Sequence, residues 1–165
     1  MYLRQFVPES DFDTIRKWIN DARTHAMWCA NRFSFPLERS NFISVLDSHA
    51  ATTGDTAFVA VADNGRVVGF FCYSLNRDTN EGMLKFVVVD PQQRGKGTAA
   101  EMLELAAEYA FDNTKAAVLH LNVFPENIRA VRCYEKAGFI ERNTTPDAFA
   151  YGDEHWGRCN MVKYR

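Results

Sequence analysis

Residues 94–99 read Arg-Gly-Lys-Gly-Thr-Ala and connect a strand-like run, Met83–Val89, to a long helical pattern. The two glycines permit positive φ angles and let backbone N–H groups come close to a ligand. The first turn of the following helix offers unpaired N–H donors and partial positive charge to an anion. The segment therefore predicts a phosphate-binding loop, to which Arg94 and Lys96 add two cations.

Three other kinds of loop share some of these residues. A Gly-rich turn that only starts the helix is the simplest alternative. A Walker A loop would need Gly at Asp90 and Ser or Thr at Gly97, so that class of nucleotide site is excluded. Gly95, Gly97 and Ala100 formally match a dinucleotide fingerprint, but about 20 residues later Lys115 stands where an acid belongs. A Rossmann fold is therefore a distant alternative.

The second motif, residues 127–139, reads Asn-Ile-Arg-Ala-Val-Arg-Cys-Tyr-Glu-Lys-Ala-Gly-Phe. Asn127 and Tyr134 are seven residues apart, nearly two helical turns, so both project from the same face of a helix and could line one groove. The structural alternative makes Asn127 an N-cap, Tyr134 a core aromatic and Gly138 a C-cap. The residues alone leave both possibilities open.

The remaining sequence predicts one α+β domain over residues 1–165. We expect strands over residues 1–7, 56–62, 66–75, 83–89, 118–124, 139–142 and 156–164. We expect helices over residues 8–22, 37–47, from about 98 onward, and over 127–137. Residues 48–55 and 143–155 are expected to be loops. Asp63-Asn64-Gly65 predicts a tight hairpin turn in an antiparallel meander.

Composition excludes several function classes. The 165 residues are 47% hydrophobic and 24% charged, which is typical of a folded domain and not of a disordered chain. The net charge of -2 argues against a nucleic-acid partner. The longest apolar stretch, Val67–Tyr73, is too short to span a membrane, and no secretory signal is visible. Four cysteines without a C-x-x-C pair predict free thiols and a cytoplasmic protein.

Together, the two motifs resemble the GCN5-related N-acetyltransferase (GNAT) superfamily. The family's Q/R-x-x-G-x-G/A loop matches residues 94–99, and its later signature matches Asn127, Ala130, Tyr134 and Gly138-Phe139. The resemblance covers residues 56–140 well. It implies a mixed, mostly antiparallel sheet flanked by about four helices, whose fourth and fifth strands splay apart to admit acetyl-coenzyme A.

The same resemblance implies how acetyl-coenzyme A is bound, without a metal. The pyrophosphate would lie on backbone N–H groups of the loop, which comprises Arg94, Gly95, Lys96, Gly97, Thr98 and Ala99. Main-chain groups near Val87 and Val89 would pair with the pantetheine arm like another strand, and one N–H there could stabilise the thioester oxyanion. Asn127 would contact the cofactor arm.

The implied reaction is direct transfer of the acetyl group to a primary amine in a ternary complex. Tyr134 would lie near the sulfur, and it is the predicted general acid, because a phenol with a pKa of ~10 can protonate a leaving thiolate whose thiol has a pKa of ~8.5. Only the neutral amine is nucleophilic, so the ammonium group must lose a proton before it attacks the thioester.

The sequence leaves the identity of the general base open. Glu81, at the start of the fourth strand, is one candidate, expected on the same strand face as Met83, Lys85 and Val87. It lies roughly 20 Å along the strand from Val87, so a bulge or a chain of waters would be needed. The alternatives are solvent and four other side chains: His120, Asp153, Glu154 and His155.

The acceptor is a small-molecule amine or a peptide or protein amino group. Trp28, Phe33 and Phe35 could line its pocket or be core residues. The loop 143–155 carries acids and aromatics that suit a cationic amine, although a solvated loop is equally compatible: Asp147, Phe149, Tyr151, Asp153 and Glu154. A faint resemblance of the opening residues to ribosomal-protein acetyltransferases does not decide the acceptor.

Two further function classes fit part of the sequence. One is a coenzyme A binding regulatory module without catalysis, against which the presence of Tyr134 argues mildly. The second is a purely structural domain, which predicts no cofactor binding. The oligomeric state is open, and a homodimer is one possibility.

Overall fold

Seven strands form one mixed sheet in the computed structural model, which describes residues 1–165. The strands are Tyr2–Gln5 (β1), Thr56–Val61 (β2), Val67–Asn76 (β3), Glu81–Val89 (β4), Val118–Val123 (β5), Ile140–Tyr151 (β6) and Glu154–Tyr164 (β7). The α-helices are Pro8–Ile15 (α1), Ala22–Cys29 (α2), Arg39–Thr53 (α3), Thr98–Glu108 (α4) and Ile128–Lys136 (α5). Short 3-10 turns cover Arg16–Trp18 and Pro91–Gln93, and a π-helical turn covers Tyr109–Asn113. The predicted α+β class is confirmed, with five helices where about four were expected.

The strand order is β1-β2-β3-β4-β5-β7-β6. All neighbours are antiparallel except β4 and β5, whose parallel ladder runs from the Glu81–Val118 pair to the Leu84–Leu121 pair. Beyond Leu84 and Leu121 the two strands separate. The expected splay between the fourth and fifth strands is therefore present.

A β-bulge interrupts β4 just where it leaves β5. Cys72 of β3 pairs with Lys85, but two residues along β3 the partner is already Val88, so β4 holds one extra residue there. Phe86 takes up this residue in the left-handed region, with φ of +53°. Lys85 and Phe86 consequently both face the side of α3, whereas Val87 packs on the opposite core. The expectation that Lys85 and Val87 share a face is wrong for this reason.

Two cores lie on opposite faces of the sheet. On one face α1, α2 and α3 cover the strands, and Phe12, Phe42 and Phe70 are at most 1% exposed. On the other face α4 and α5 pack through residues such as Met102 and Phe139. Each such fully buried side chain stabilises the fold by about 1.5–3 kcal/mol. Both faces together hold β4 and β5 in place at the point where they diverge.

The first helical region differs from the prediction. The helix expected over residues 8–22 ends at Ile15, and a separate helix begins after Asp21, whose carboxylate accepts a hydrogen bond of 2.8 Å from the Thr24 N–H. The next helix continues to Thr53 and ends at Gly54, which has a φ of +68°. Most of the predicted loop 48–55 is therefore helical.

The segment 143–155, expected to be a loop, forms the facing ends of β6 and β7 joined by a turn at Gly152-Asp153. Nearly every residue of β6 is exposed, so this strand lacks the alternation of apolar and polar residues that identifies a strand in a sequence. All four cysteines are free thiols, as expected. No helix combines the length and apolar character needed to cross a bilayer.

Candidate active site

A cleft of about 1620 Å³ opens where β4 and β5 separate. Residues 83–89 of β4 and residues 121–124 line it, together with parts of α2, α3, α4 and α5. Because no ladder joins the two strands beyond Leu84 and Leu121, the backbone groups on their facing edges have no strand partner there. Val87 and Val89 lie on this free edge. An extended chain can bind in the gap as an additional strand would.

The Gly-rich loop lies at the mouth of this cleft. Gly95 and Gly97 have φ angles of +76° and +83°, and Gly97 is the N-cap residue of α4 without any side-chain cap. The following backbone N–H groups donate to no acceptor in the protein: Gly95, Gly97, Thr98, Ala99 and Ala100. A Cβ at either glycine would meet no atom within 4 Å, so the space around them is open. This cradle of free donors fits a diphosphate.

Basic side chains surround the loop. Burial, together with the neighbouring Arg129, lowers the pKa of Arg94, although Asp90 and Asp21 oppose the shift. Arg132 and Lys136 extend the positive charge along α5. Lys96, by contrast, is exposed and does not line the cleft. Arg94 and Arg129 therefore lie in one group of cations that can neutralise a polyanionic nucleotide.

Asn127 and Tyr134 line the same cleft, which is one of the two possibilities that their spacing left open. The Asn127 side chain also caps α5 by accepting a hydrogen bond of 3.3 Å from the Ala130 N–H. The amide nitrogen of that side chain has no partner within the protein. Asn127 thus caps α5 with its side-chain oxygen and leaves its side-chain amide nitrogen free to donate toward the cleft.

Tyr134 is 8% exposed and packs its ring edge-on against Phe139, at 6.0 Å between centroids. Its hydroxyl makes no hydrogen bond to any other protein group. Burial raises the pKa of Tyr134, because the phenolate would be poorly solvated. The side chain therefore holds its proton at neutral pH and presents it to the cleft.

Glu81 lies outside the lining of the cleft, in a bidentate ion pair with Arg142 at 2.9 and 3.2 Å. The Arg142 guanidinium lowers the pKa of this carboxyl. His120 lies 3.8 Å from Glu81, accompanied by Asn160 at 3.1 Å. No contact connects Glu81 with the diverging part of β4, so its role as a base stays a prediction.

A second group of polar residues, which sequence reasoning missed, lies beside the bulge. Lys85 Nζ is 2.7 Å from Asp55 Oδ1 and 3.1 Å from Thr53 Oγ1. His49 Nδ1 is 3.4 Å from Asp55 Oδ2, and its ring meets the edge of the Phe86 ring at 5.4 Å between centroids. Burial lowers the pKa of His49, so the imidazole is neutral at pH 7.

These residues are far apart in the sequence, and no short motif marks them. His49, Thr53 and Lys85 line the cleft, whereas Asp55 lies behind them with only 2% of its side chain exposed. The bulge at Phe86 brings them together, because it turns Lys85 and Phe86 toward α3. Their association is a product of the fold that the sequence pattern did not reveal.

Of the aromatic residues expected to form an acceptor pocket, only Trp28 lines the cleft. Phe33 stacks beneath it in the core, at 5.2 Å between centroids, and Phe35 is an exposed residue outside the lining. Phe149 of β6 also lines the cleft. The core interpretation is thus right for Phe33.

None of the three acids expected to attract a cationic amine, Asp147, Asp153 and Glu154, lines the cleft. Glu154 binds Arg23 and accepts a hydrogen bond of 3.0 Å from Trp156 Nε1. These partners lower the pKa of Glu154 to about 2. The charged residues that do line the cleft are all basic: Arg23, Arg32, Lys85, Arg94, Arg129, Arg132, Lys136 and Arg158.

Comparison with known families agrees with this geometry. The family model described as "Acetyltransferase (GNAT) family" matches residues 12–139. This chain belongs to the GNAT family. As a GNAT enzyme it is an N-acetyltransferase that takes the acetyl group from acetyl-coenzyme A.

Individual relatives share the fold at low identity. The aminoglycoside N(6')-acetyltransferase type 1 of Klebsiella pneumoniae is 26% identical over 157 residues, covering 87% of this chain and 77% of the relative. The spermidine N(1)-acetyltransferase of Escherichia coli K12 is 24% identical over 129 residues, covering 78% and 67%. The crystal structure of spermidine N-acetyltransferase from Vibrio cholerae with CoA and spermine superposes with a TM-score of 0.81, at 21% identity, covering 98% and 94%. The chain therefore shares the fold of that acetyltransferase over nearly its whole length.

Proposed function

We propose that this GNAT enzyme acetylates a primary amine in the cleft between β4 and β5, with the loop 94–99 binding the diphosphate of acetyl-coenzyme A and Tyr134 acting as general acid. The observation that carries this proposal is the arrangement of one continuous cleft. Free backbone donors lie at its mouth, and the unpartnered Tyr134 hydroxyl lies along its wall.

The residues proposed to bind the cofactor fall into three groups. The loop, from Arg94 through Lys96 to Ala99, supplies N–H donors and charge to the phosphates. The free edge of β4 near Val87 and Val89 offers main-chain hydrogen bonds, and Asn127 offers its unpartnered amide. When bound, acetyl-coenzyme A supplies an activated acetyl group and a thiolate leaving group.

Tyr134 holds its proton on Oη until a stronger base develops nearby. Its buried ring keeps the phenolate unfavourable, so the hydroxyl stays protonated across the physiological range. The hydroxyl has no competing acceptor within the protein, which leaves it free to donate to a leaving sulfur. A single hydrogen-bond donor of this kind is proposed to raise the rate by about 10²–10⁴-fold.

Two side chains are candidates for accepting the proton of the amine. Glu81 is ionised, but Arg142 holds it and its depressed pKa makes it a weak base. His49 is neutral, lines the cleft beside Phe86, and has its Nδ1 3.4 Å from Asp55 Oδ2, with no hydrogen-bond partner for either atom. A small approach of the two side chains would join these atoms and fix the tautomer that leaves Nε2 free to accept a proton. We therefore favour His49 over Glu81. Solvent and His120 are weaker alternatives.

The relatives' names include spermidine and aminoglycoside acetyltransferases, and their shared chemistry is attack by a primary amine. A coenzyme A binding module without catalysis is the competing function. The test is thiol release from acetyl-coenzyme A with a panel of primary amines, corrected for hydrolysis. Amine-dependent release supports the enzyme, and saturable binding without release would support the module. The same preparation, measured by light scattering, tests whether the chain forms a homodimer.

A further inference from the structure

The lining of the cleft contains basic residues and no Asp or Glu. A polycationic acceptor must lose water to enter such a site, and a desolvated ammonium group needs an anionic partner. This cleft offers none. Building on the proposed function, we propose that the acceptor is a primary amine that carries an anionic group, bound by Arg32 and the Trp28 N–H at the end of the cleft beside Phe86.

Arg32 is the cation free to bind this group. It lines the cleft, is exposed, and forms no ion pair. Its charge reaches the Phe86 end of the cleft, where it contributes to lowering the pKa of His49. A guanidinium binds a carboxylate or phosphate through two parallel N–H···O bonds, which fixes both distance and orientation.

Trp28 supplies a second, independent sign of a missing acceptor. Its Nε1–H is buried and has no hydrogen-bond partner. An indole N–H can only donate, so a ligand oxygen that reaches it would satisfy it. The ring is held by stacking on Phe33 and by an edge contact with Phe86, at 6.2 Å between centroids. The donor is therefore fixed in position near the bulge.

The carboxylate nearest this end of the cleft is already paired with a cation. Asp55 is 2% exposed and its Oδ1 is bound to Lys85 at 2.7 Å, whereas its Oδ2 lies 3.4 Å from His49 Nδ1 without a hydrogen bond. A cationic acceptor could reach Asp55 only by displacing Lys85. At the rim, Glu154 is bound to Arg23. These pairings remove the two acids that could otherwise have attracted a polyamine.

The experiment compares acceptors that differ only in the anionic group. Amino acids are paired with their C-terminal amides, and O-phosphoethanolamine is paired with ethanolamine. Spermidine and an aminoglycoside represent polycations. We expect kcat/KM to be roughly tenfold or more higher for the anionic member of the preferred pair, the effect of losing one charge-assisted interaction. The amino-acid and phosphate arms distinguish a carboxylate from a phosphate.

Two variants assign the effect to the site. Arg32→Gln should abolish the preference for the anionic member while leaving the KM for acetyl-coenzyme A unchanged, and Trp28→Phe should reduce it. Arg77→Gln removes the same charge from an exposed turn between β3 and β4 and should change nothing. Calorimetry of each amine with the CoA-bound protein gives a second readout that does not depend on turnover.

Preference for spermidine or the aminoglycoside, equal rates and affinities within every pair, or an unchanged preference in Arg32→Gln would each overturn the proposal. Acetylation of a polycation would leave the proposed acetyltransferase function intact. Absence of acetyl-coenzyme A binding would instead refute the proposed roles of the loop 94–99.

Discussion

Tyr134 packs edge-on against Phe139 on the far side of α5 from solvent, and its hydroxyl nevertheless contacts no hydrogen-bonding group of the protein. Because Tyr134 lines the cleft and no protein group engages its hydroxyl, this donor is available for a ligand. The Tyr134 side chain therefore has two separate roles. The ring stabilises the core, and the oxygen serves the cleft.

Replacing Tyr134 with Phe removes the oxygen and keeps the ring. We expect kcat to fall by about 10²-fold or more, because the departing thiolate loses its proton donor, while the melting temperature stays nearly unchanged. Steady-state thiol release and thermal unfolding measure the two quantities. Tyr109→Phe is the matched control, since Tyr109 packs in the same core without lining the cleft. An unchanged kcat in Tyr134→Phe would remove Tyr134 from the mechanism.

Adding one methyl group to the Gly-rich loop tests its role in binding acetyl-coenzyme A. In Gly97→Ala the left-handed conformation becomes unfavourable by about 1–2 kcal/mol. If the loop relaxes away from this conformation, binding must restore it, so Kd for acetyl-coenzyme A should rise about 5–30-fold. Isothermal titration measures this change.

Gly65→Ala is the matched control for the loop. Gly65 has a φ of +81°, close to that of Gly97, and an added Cβ there also meets no atom within 4 Å. It lies in the turn between β2 and β3, away from the cleft. Both variants should lose similar stability, and only Gly97→Ala should lose affinity. Equal affinities would show that the loop conformation does not matter for binding.

The pH dependence of kcat at saturating acceptor tests the base. A base must be unprotonated to act, and burial lowers the pKa of His49 below the ordinary value, so activity should be lost only as pH falls well below about 6.5. The charged groups that face His49 are Asp55, Lys85 and Arg32. Because burial raises the pKa of Tyr134, loss of the acid should occur only above about pH 10.

His49→Gln should lower kcat and abolish the acidic limb of this profile. Glu81→Gln provides the direct comparison, because it tests the candidate predicted from the sequence. If the acidic limb disappears in Glu81→Gln and persists in His49→Gln, Glu81 is the base despite its ion pair with Arg142. If it persists in both, solvent or another group accepts the proton.

The ionised Asp11 side chain stabilises the contact between α1 and β1, so the stability of this contact depends on pH. Its side chain is 1% exposed and binds Arg4 at 2.7 and 2.8 Å and the Val7 N–H at 2.8 Å. Burial opposes ionisation, but these partners and Ser10 together lower the pKa of Asp11. A depressed pKa stabilises the fold above the unfolded pKa of about 4, and that stability is lost as pH falls through the folded pKa.

We therefore expect Asp11→Asn to cost about 2–4 kcal/mol of unfolding free energy at pH 7, somewhat less than the about 3–5 kcal/mol for breaking a fully buried pair, because the Arg4 side chain is 35% exposed. The difference from the wild type should shrink toward pH 2, and urea unfolding at both pH values measures it. Asp13→Asn, on the same helix but 57% exposed, should change stability by less than about 0.5 kcal/mol. A difference for Asp11→Asn that is independent of pH would contradict this account.

The sequence was sufficient for the parts of the site that depend on local chemistry. The loop 94–99 and the spacing of Asn127 and Tyr134 are determined by glycine conformations and helical periodicity, and both motifs line the cleft. Two helix boundaries also have local signals, since Asp21 is a good N-cap and Gly54 a good C-terminal glycine, although the hydrophobic spacing predicts different ends.

The rest depends on contacts between distant residues. Phe86 with a positive φ has no sequence signal, because a bulky residue is the last one expected there. The grouping of His49, Asp55 and Lys85 follows from that conformation and from the packing of α3 on β4. The absence of acids from the cleft likewise becomes visible only when the lining residues are known.

The single inserted residue at Phe86 also gives the cleft a side chain that a regular strand would lack. Deleting it would return β4 to a regular two-residue alternation and leave Val87, Val88 and Val89 on their present faces, because Lys85 and Phe86 share one face. The deletion would therefore remove the Phe86 ring, with its contacts to Trp28, Phe33 and His49, and keep both cores. Engineering of acceptor preference can thus use the length of β4 at this one position as well as side chains such as Arg32.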